Sequence, residues 1–167
     1  MAITYEPIAT TTVPSDTTSG VTFSSIPQTY TDLVLVISAA ASGSLRYRIN
    51  GSTSNYWNRY LEGSITSTVS TFADSTTANK GWITESARPS STLGSGISVT
   101  NFMNYTNTVK SKMAISKSAA NNGVDFVTSW WNDTTAVSSI VVAVNDAFTG
   151  TLYAGSILTL YGILKAA

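Results

Sequence analysis

The sequence predicts an all-β chain, an antiparallel β-sandwich of jelly-roll type with about eight to ten strands. Three observations support this class: apolar residues alternate with period two in many short segments, turn residues separate the segments, and no window keeps a helical spacing. The 26 threonines agree with it, because a β-branched side chain packs well on a pleated sheet. The 167 residues suit one domain, 1–167, which can bury a core without metal or disulfide.

Nine segments carry the alternating pattern. The second has apolar residues on both faces, so we expect that strand to be covered on both sides. The third places Leu, Tyr and Ile on one face and two arginines on the other, and Asn50-Gly51 then turns the chain. In chain order the segments are residues 21–23, 32–40, 45–49, 56–62, 97–99, 113–115, 124–126, 140–144 and 157–164.

Residues 63–95 break this rhythm. A weak strand over 64–70 is compatible with the sequence, whereas 72–93 is polar and rich in small residues. We therefore expect a long polar excursion on one edge of the sandwich. Long loops on a rigid β scaffold often carry contacts to partners, and an ordinary surface loop is an equally good interpretation.

The composition disfavours an enzyme. The chain contains no His and no Cys, which removes the commonest groups for catalysis near neutral pH and for binding soft metals. Nine basic and nine acidic residues cancel, so no electrostatic signal for nucleic acid is present. We expect no cofactor, no metal and no membrane segment, and the first residues lack the pattern of a signal peptide.

Catalysis by oxygen groups alone remains as an alternative. A glycosidase needs two facing carboxylates, and Glu62 with Glu85, or Asp125 with Asp133, would supply them. Nothing in the sequence makes either pair converge, and structural roles are favoured for all four residues.

Two further chemistries receive little support from the sequence. Lys110, Lys112 and Lys117 stand among serines, but in a chain with 25 serines such neighbours are expected by chance. The segments 132–134 and 145–146 offer oxygen ligands for calcium, without the spacing of a known calcium loop.

Aromatic residues provide the strongest candidates for a contact surface. Flat rings beside Asn and Arg suit either an interface or stacking on a sugar, and packing in a core or interface is the favoured interpretation. Neighbours in a strand point to opposite faces, so Trp57 should face away from Tyr56, and one residue of the Trp130–Trp131 pair should lie outside the core. The candidate interface or glycan-contact residues are Tyr56, Trp57, Arg59, Tyr60, Trp82, Trp130 and Trp131.

Three passages together resemble small virion structural proteins of tailed bacteriophages, notably those of cyanobacteria and marine bacteria. The resemblance extends from about Tyr5 to Ile163. The passages are residues 23–36 (FSSIPQTYTDLVLV), residues 45–51 (LRYRING) with Ser54-Asn55-Tyr56 shortly after, and residues 155–163 (GSILTLYGI).

This resemblance implies a structural role on the exterior of the particle. The expected function is that of a capsid decoration (cement) protein, and the alternative is a tail, fibre or baseplate component with a carbohydrate-binding surface. The implied partners are copies of the same chain, with a trimer expected, and the major capsid protein or tail proteins of the virion. Synthesis in the host cytoplasm without a signal peptide is expected as well.

Overall fold

The chain forms β-strands throughout its regular structure. The computed structural model describes residues 4–64, 67–78, 80–84, 96–145 and 148–164, and every regular element in these ranges is a strand. In chain order the strands are β1 (Tyr5–Thr12), β2 (Val21–Phe23), β3 (Asp32–Ala39), β4 (Leu45–Ile49), β5 (Tyr56–Ser64), β6 (Ser67–Ala78), β7 (Gly81–Trp82), β8 (Gly96–Met103), β9 (Lys112–Ala120), β10 (Gly123–Trp131), β11 (Ile140–Val144) and β12 (Ile157–Ile163).

All nine predicted strands are present, so the prediction of an antiparallel β-sandwich is confirmed. The sequence did not indicate β1 and β7. Within 63–95, which was expected to be a polar excursion on one edge, residues 67–78 form β6, and residues 85–95 lie outside the described ranges. β6 is an edge strand, paired with β5.

The strands form two antiparallel sheets. The large sheet has eight strands in the order β1-β12-β3-β8-β9-β10-β5-β6, and the small sheet has four in the order β2-β11-β4-β7. The chain passes repeatedly from one sheet to the other, because β1 and β3 belong to the large sheet while β2 and β4 belong to the small one. The pairs β5–β6 and β9–β10 widen the large sheet at one side.

One hydrophobic core fills the space between the sheets. Leu35 of β3 and Leu160 of β12 are fully buried on the inner face of the large sheet, opposite Tyr47 of β4 and Val142 of β11. The rings of Tyr47 and Phe102 meet edge to face across the two sheets, with centroids 5.0 Å apart. Each such side chain contributes about 1.5–3 kcal/mol through burial.

Two glycine positions are dictated by the backbone and the core. Asn50 and Gly51 both have positive φ angles, 51° and 70°, and turn the chain from β4 in the small sheet to β5 in the large one. At Gly81 an added Cβ would lie 1.9 Å from the Tyr47 ring, so only glycine lets β7 approach β4.

Three of the four sheet edges are short or interrupted. β1 contains Pro7, which has no N–H to donate, and a bulge between Pro7 and Ala9 interrupts its register with β12. The small sheet ends in β2, with three residues, and β7, with two. Such edges are poor templates for pairing with another strand.

Candidate interaction surface

Strand alternation separates the aromatic candidates into two groups. Trp131 of β10 is 2% exposed and lies in the core, whereas its neighbour Trp130 is 45% exposed on the other side of the sheet. Trp57 of β5 stands directly opposite Trp130, and the two ring centroids are 4.9 Å apart at 36°. The prediction that only one residue of each adjacent pair faces the core is confirmed.

The side of the large sheet that faces away from the core is unusually apolar. We define the outer face as the outward residues of β12, β3, β8, β9, β10 and β5. The ladders bring these residues into continuous rows, for example Trp57, Trp130, Met113 and Met103 on four adjacent strands. Large apolar side chains that are at least 37% exposed on this face are Leu61, Ile97, Met113, Val124, Phe126, Trp130 and Ile157.

Charge is sparse on the outer face. Among the outward residues of its six strands, all of which are described, only Asp32, Arg59 and Lys117 are charged. Arg59 stands opposite Thr128 of β10 and Asp74 of β6 in the ladders. Arg59 also borders a shallow depression lined by Tyr60, Leu61, Phe126 and Thr128. Exposed apolar surface of this extent in a soluble domain usually marks a binding surface.

Four of the seven candidate residues are not outward residues of these six strands, although Tyr60 also borders the depression. Tyr56 is fully buried, and its ring stacks on Trp131 with centroids 6.2 Å apart. Trp131 donates its Nε1–H to the hydroxyl of Ser52 over 3.3 Å. Tyr60 packs instead against Trp82 of the small sheet, and the centroids of the two rings are 5.3 Å apart. These four side chains therefore cannot stack on a glycan together with Trp57.

A buried polar network lies beneath β5, β9 and β10. The Trp82 N–H donates to Asn58 Oδ1 at 3.2 Å and to Ser129 Oγ at 3.1 Å, and Ser129 Oγ is 2.6 Å from Asn58 Oδ1. The hydroxyls of Thr100 and Ser116 bond each other at 2.8 Å. These bonds fasten β7 to the inner face of the large sheet, so the network has a structural role.

The carboxylates do not form the pairs considered from the sequence. Asp125 and Asp133 are separated by most of β10, about 20 Å along the strand. Glu85 lies outside the described residues. The structure instead places Glu62 directly opposite Asp125 in the β5–β10 ladder. Because Asp125 is only 5% exposed, this pair gives a polysaccharide no access and does not support glycosidase chemistry.

Lys112 is bonded to the backbone rather than to a serine. Its Nζ donates to the carbonyl oxygens of Asn107, Lys110 and Thr134, the last two at 3.0 and 3.2 Å. Burial lowers the Lys112 pKa, and the nearby Asp133 carboxylate partly opposes that shift. Hydrogen bonds from Thr135 lower the Asp133 pKa in turn.

No group of three or more acidic residues that could hold a metal ion occurs in the part of the chain that the structure describes. Asp146, whose segment 145–146 offers oxygen atoms but lacks the spacing of a calcium loop, is outside that part. Within the same ranges no helix is long and apolar enough to cross a membrane.

The sequence interpretation missed most of the outer face. It singled out Trp57, Arg59 and Trp130 but not Leu61, Met113, Val124 or Phe126, which surround them. The alternation of side chains in β10 could have indicated this face. Residues 124, 126, 128 and 130 lie on the side of the strand opposite Trp131, and all four are apolar or Thr.

Comparison of the chain with protein-family models, with curated proteins and with solved structures found no match.

Proposed function

We propose that the protein is a structural component of a tailed-phage virion, a capsid decoration protein that stabilises the shell by contact. The observation that carries this proposal is the outer face, an exposed apolar sheet surface with three charged residues among six strands. The resemblance of residues 23–36, 45–51 and 155–163 to small phage virion proteins supports the proposed location in a phage particle.

The connectivity of the strands is consistent with the fold expected for such a protein. When β5, β6, β9 and β10 are left out, eight strands remain, and they pair from the ends of the chain towards its middle. β1 pairs with β12, β2 with β11, β3 with β8 and β4 with β7. β12 also pairs with β3, and β11 with β4, as in a long hairpin rolled into two sheets. We infer from this order a jelly roll with two inserted hairpins, and jelly rolls are frequent in viral capsid proteins.

The proposed mechanism is thermodynamic linkage between binding of this protein and assembly of the shell. A protein that binds the assembled shell but not free capsid subunits stabilises the assembled state by mass action. Contacts of this kind need buried apolar area and few unpaired charges, and no catalytic group takes part. The outer face is apolar, and only three of the outward residues of its six strands are charged.

Heat tolerance of the particle tests the proposal. Particles that lack the protein should release their DNA at a lower temperature, and adding back the purified protein should restore the original value. The Phe126→Ser variant should restore it less well, because Phe126 lies on the outer face, 41% exposed. Val109→Ser is the matched control, since Val109 is 80% exposed and lies outside every strand. Unchanged heat tolerance without the protein would contradict the cement role.

A second candidate function is carbohydrate binding by a tail or fibre component. The observation that favours it is the Trp57–Trp130 pair with Arg59 nearby, because exposed indole rings can stack on sugars. Trp57→Ala should then abolish binding to host polysaccharide in a glycan array, while Phe126→Ser should leave most of it. Absence of binding by the wild-type protein would rule this candidate out.

A further inference from the structure

The outer face has the size of a stable protein interface. Six strands spaced about 4.8 Å apart, each about 25 Å long, give a surface of roughly 700 Å². Specific complexes bury about 600–1,000 Å² on each partner, so an area of this size is sufficient for one complete interface. Its apolar character resembles the interfaces of homodimers, which are more apolar than those of transient complexes.

Two opposite charges lie at separate places on this face. Asp32 begins β3, and Lys117 lies on β9, two strands away and four residues along the ladder. Strand spacing and rise place their backbones about 16 Å apart. One oxygen of Asp32 accepts the Asn104 N–H at 2.7 Å, and the other oxygen remains on the carboxylate for a second partner.

The midpoint between these two charges falls on β8, near Asn101. A two-fold axis through this point exchanges the two positions when it lies in the plane of the interface and is perpendicular to the line that joins the two charges. Two copies stacked outer face on outer face would therefore bring Lys117 of each copy over Asp32 of the other. The apolar rows between the charges would then be covered by the same rows of the second copy, as in the packing of two sheets.

We propose that the outer face is the interface of a symmetric dimer, in which Lys117 of one copy pairs with Asp32 of the other. The proposal rests on the proposed function, in which oligomeric contacts through the outer face stabilise the shell, and it names a second shell-bound copy as the occupant of that face. The zero net charge removes long-range repulsion between copies. A trimer, by contrast, would require two different surfaces on each copy.

Charge reversal with mixing tests the pairing. Lys117→Glu alone and Asp32→Lys alone each place like charges together at both symmetric contacts, so each should raise the dimer dissociation constant by at least about tenfold. An equimolar mixture of the two variants restores opposite charges at both contacts and should form a heterodimer with nearly wild-type affinity. Native mass spectrometry and sedimentation measure the species present.

The mixture is the decisive measurement, because a folding defect in either variant cannot be repaired by mixing. Asp32→Lys also loses the bond to Asn104, so its melting temperature should be measured in parallel. Lys110→Glu is the matched control, since it makes the same charge change at an exposed lysine outside the strands and should leave the dissociation constant unchanged.

Three results would overturn the proposal. They are a wild-type protein that stays monomeric well above micromolar concentration, a wild-type trimer, and a mixture that associates no better than the single variants. None of them decides the proposed function, which depends on the heat tolerance of the particle. Conversely, a dimer in solution together with unchanged particle stability would leave this inference standing and contradict the cement role.

Discussion

The Tyr56 hydroxyl is held inside the core by a backbone group. It accepts the Ile49 N–H at 2.8 Å, and burial raises the Tyr56 pKa from its ordinary value of 10.0 to about 12. The folded protein thus retains this proton more strongly than the unfolded chain does. The resulting stabilisation is fully present below pH 10 and is lost as the pH rises towards 12. Burial raises the Tyr47 pKa as well, so the effects add.

Tyr56→Phe should lower the free energy of unfolding at neutral pH by about 1–3 kcal/mol, because the buried Ile49 N–H loses its acceptor. Its melting temperature should also fall less steeply above pH 10 than that of the wild type. Thermal melts between pH 7 and 11, followed by circular dichroism, measure both effects. Tyr5→Phe, at a residue 53% exposed, is the control. Identical pH profiles for wild type and Tyr56→Phe would refute the assignment.

The face of the sheet on which a strand residue lies was predictable, because successive side chains of a strand point to opposite faces. That rule alone places Trp131 in the core and Trp130 outside it. It does not give the neighbours of Trp130, since Met113 and Trp57 lie beside it only through the registers of β9 and β5. The outer face is a product of pairing between strands distant in sequence, and a single sequence carries no record of those pairings.

At the scale of elements, β7 depends on the absence of a side chain. Gly81→Ala should destabilise the protein by about 1–3 kcal/mol or more, because its methyl group would enter the Tyr47 ring at 1.9 Å and force the core to repack. Urea unfolding of the purified variant measures this cost. Gly63→Ala is the control, since its methyl group would meet only the tip of Val124, at 3.2 Å. Equal stability of the two variants would show that β7 moves freely.

The strands that the sequence indicated weakly, β6, or not at all, β1 and β7, form for a common physical reason. β1 carries Pro7 and little apolar alternation, β6 is polar in sequence, and β7 has two residues. Each is a strand because a neighbour supplies its hydrogen bonds: β12 for β1, β5 for β6 and β4 for β7. Strands of this kind are created by tertiary pairing, which local propensity does not encode.

At the scale of the whole molecule, the pairing of distant strands should make folding slow. Tyr5 pairs with Ile163, and β2 pairs with β11, so the sheets form only after most of the chain has been brought together. Domains dominated by such contacts refold in milliseconds to seconds. Stopped-flow refolding monitored by tryptophan fluorescence should show a rate in this range. A microsecond phase that accounts for the full amplitude would contradict the expectation.

The fold class was predictable because it depends on composition and alternation, which are local properties. The division into sheets of eight and four strands was not, since it depends on which strands pair.

The interrupted edge at β1 also limits how far copies can accumulate. A chain with exposed apolar sheet surface is at risk of growing into fibrils when its edge strands recruit further copies. Pro7 and the adjacent bulge oppose this on β1, and the shortness of β2 and β7 opposes it on the small sheet. In the proposed dimer, association through the outer face would be self-limiting, because two copies cover each other and leave no equivalent surface for a third. The proposed dimer would therefore not grow further through β1 or through the edges of the small sheet.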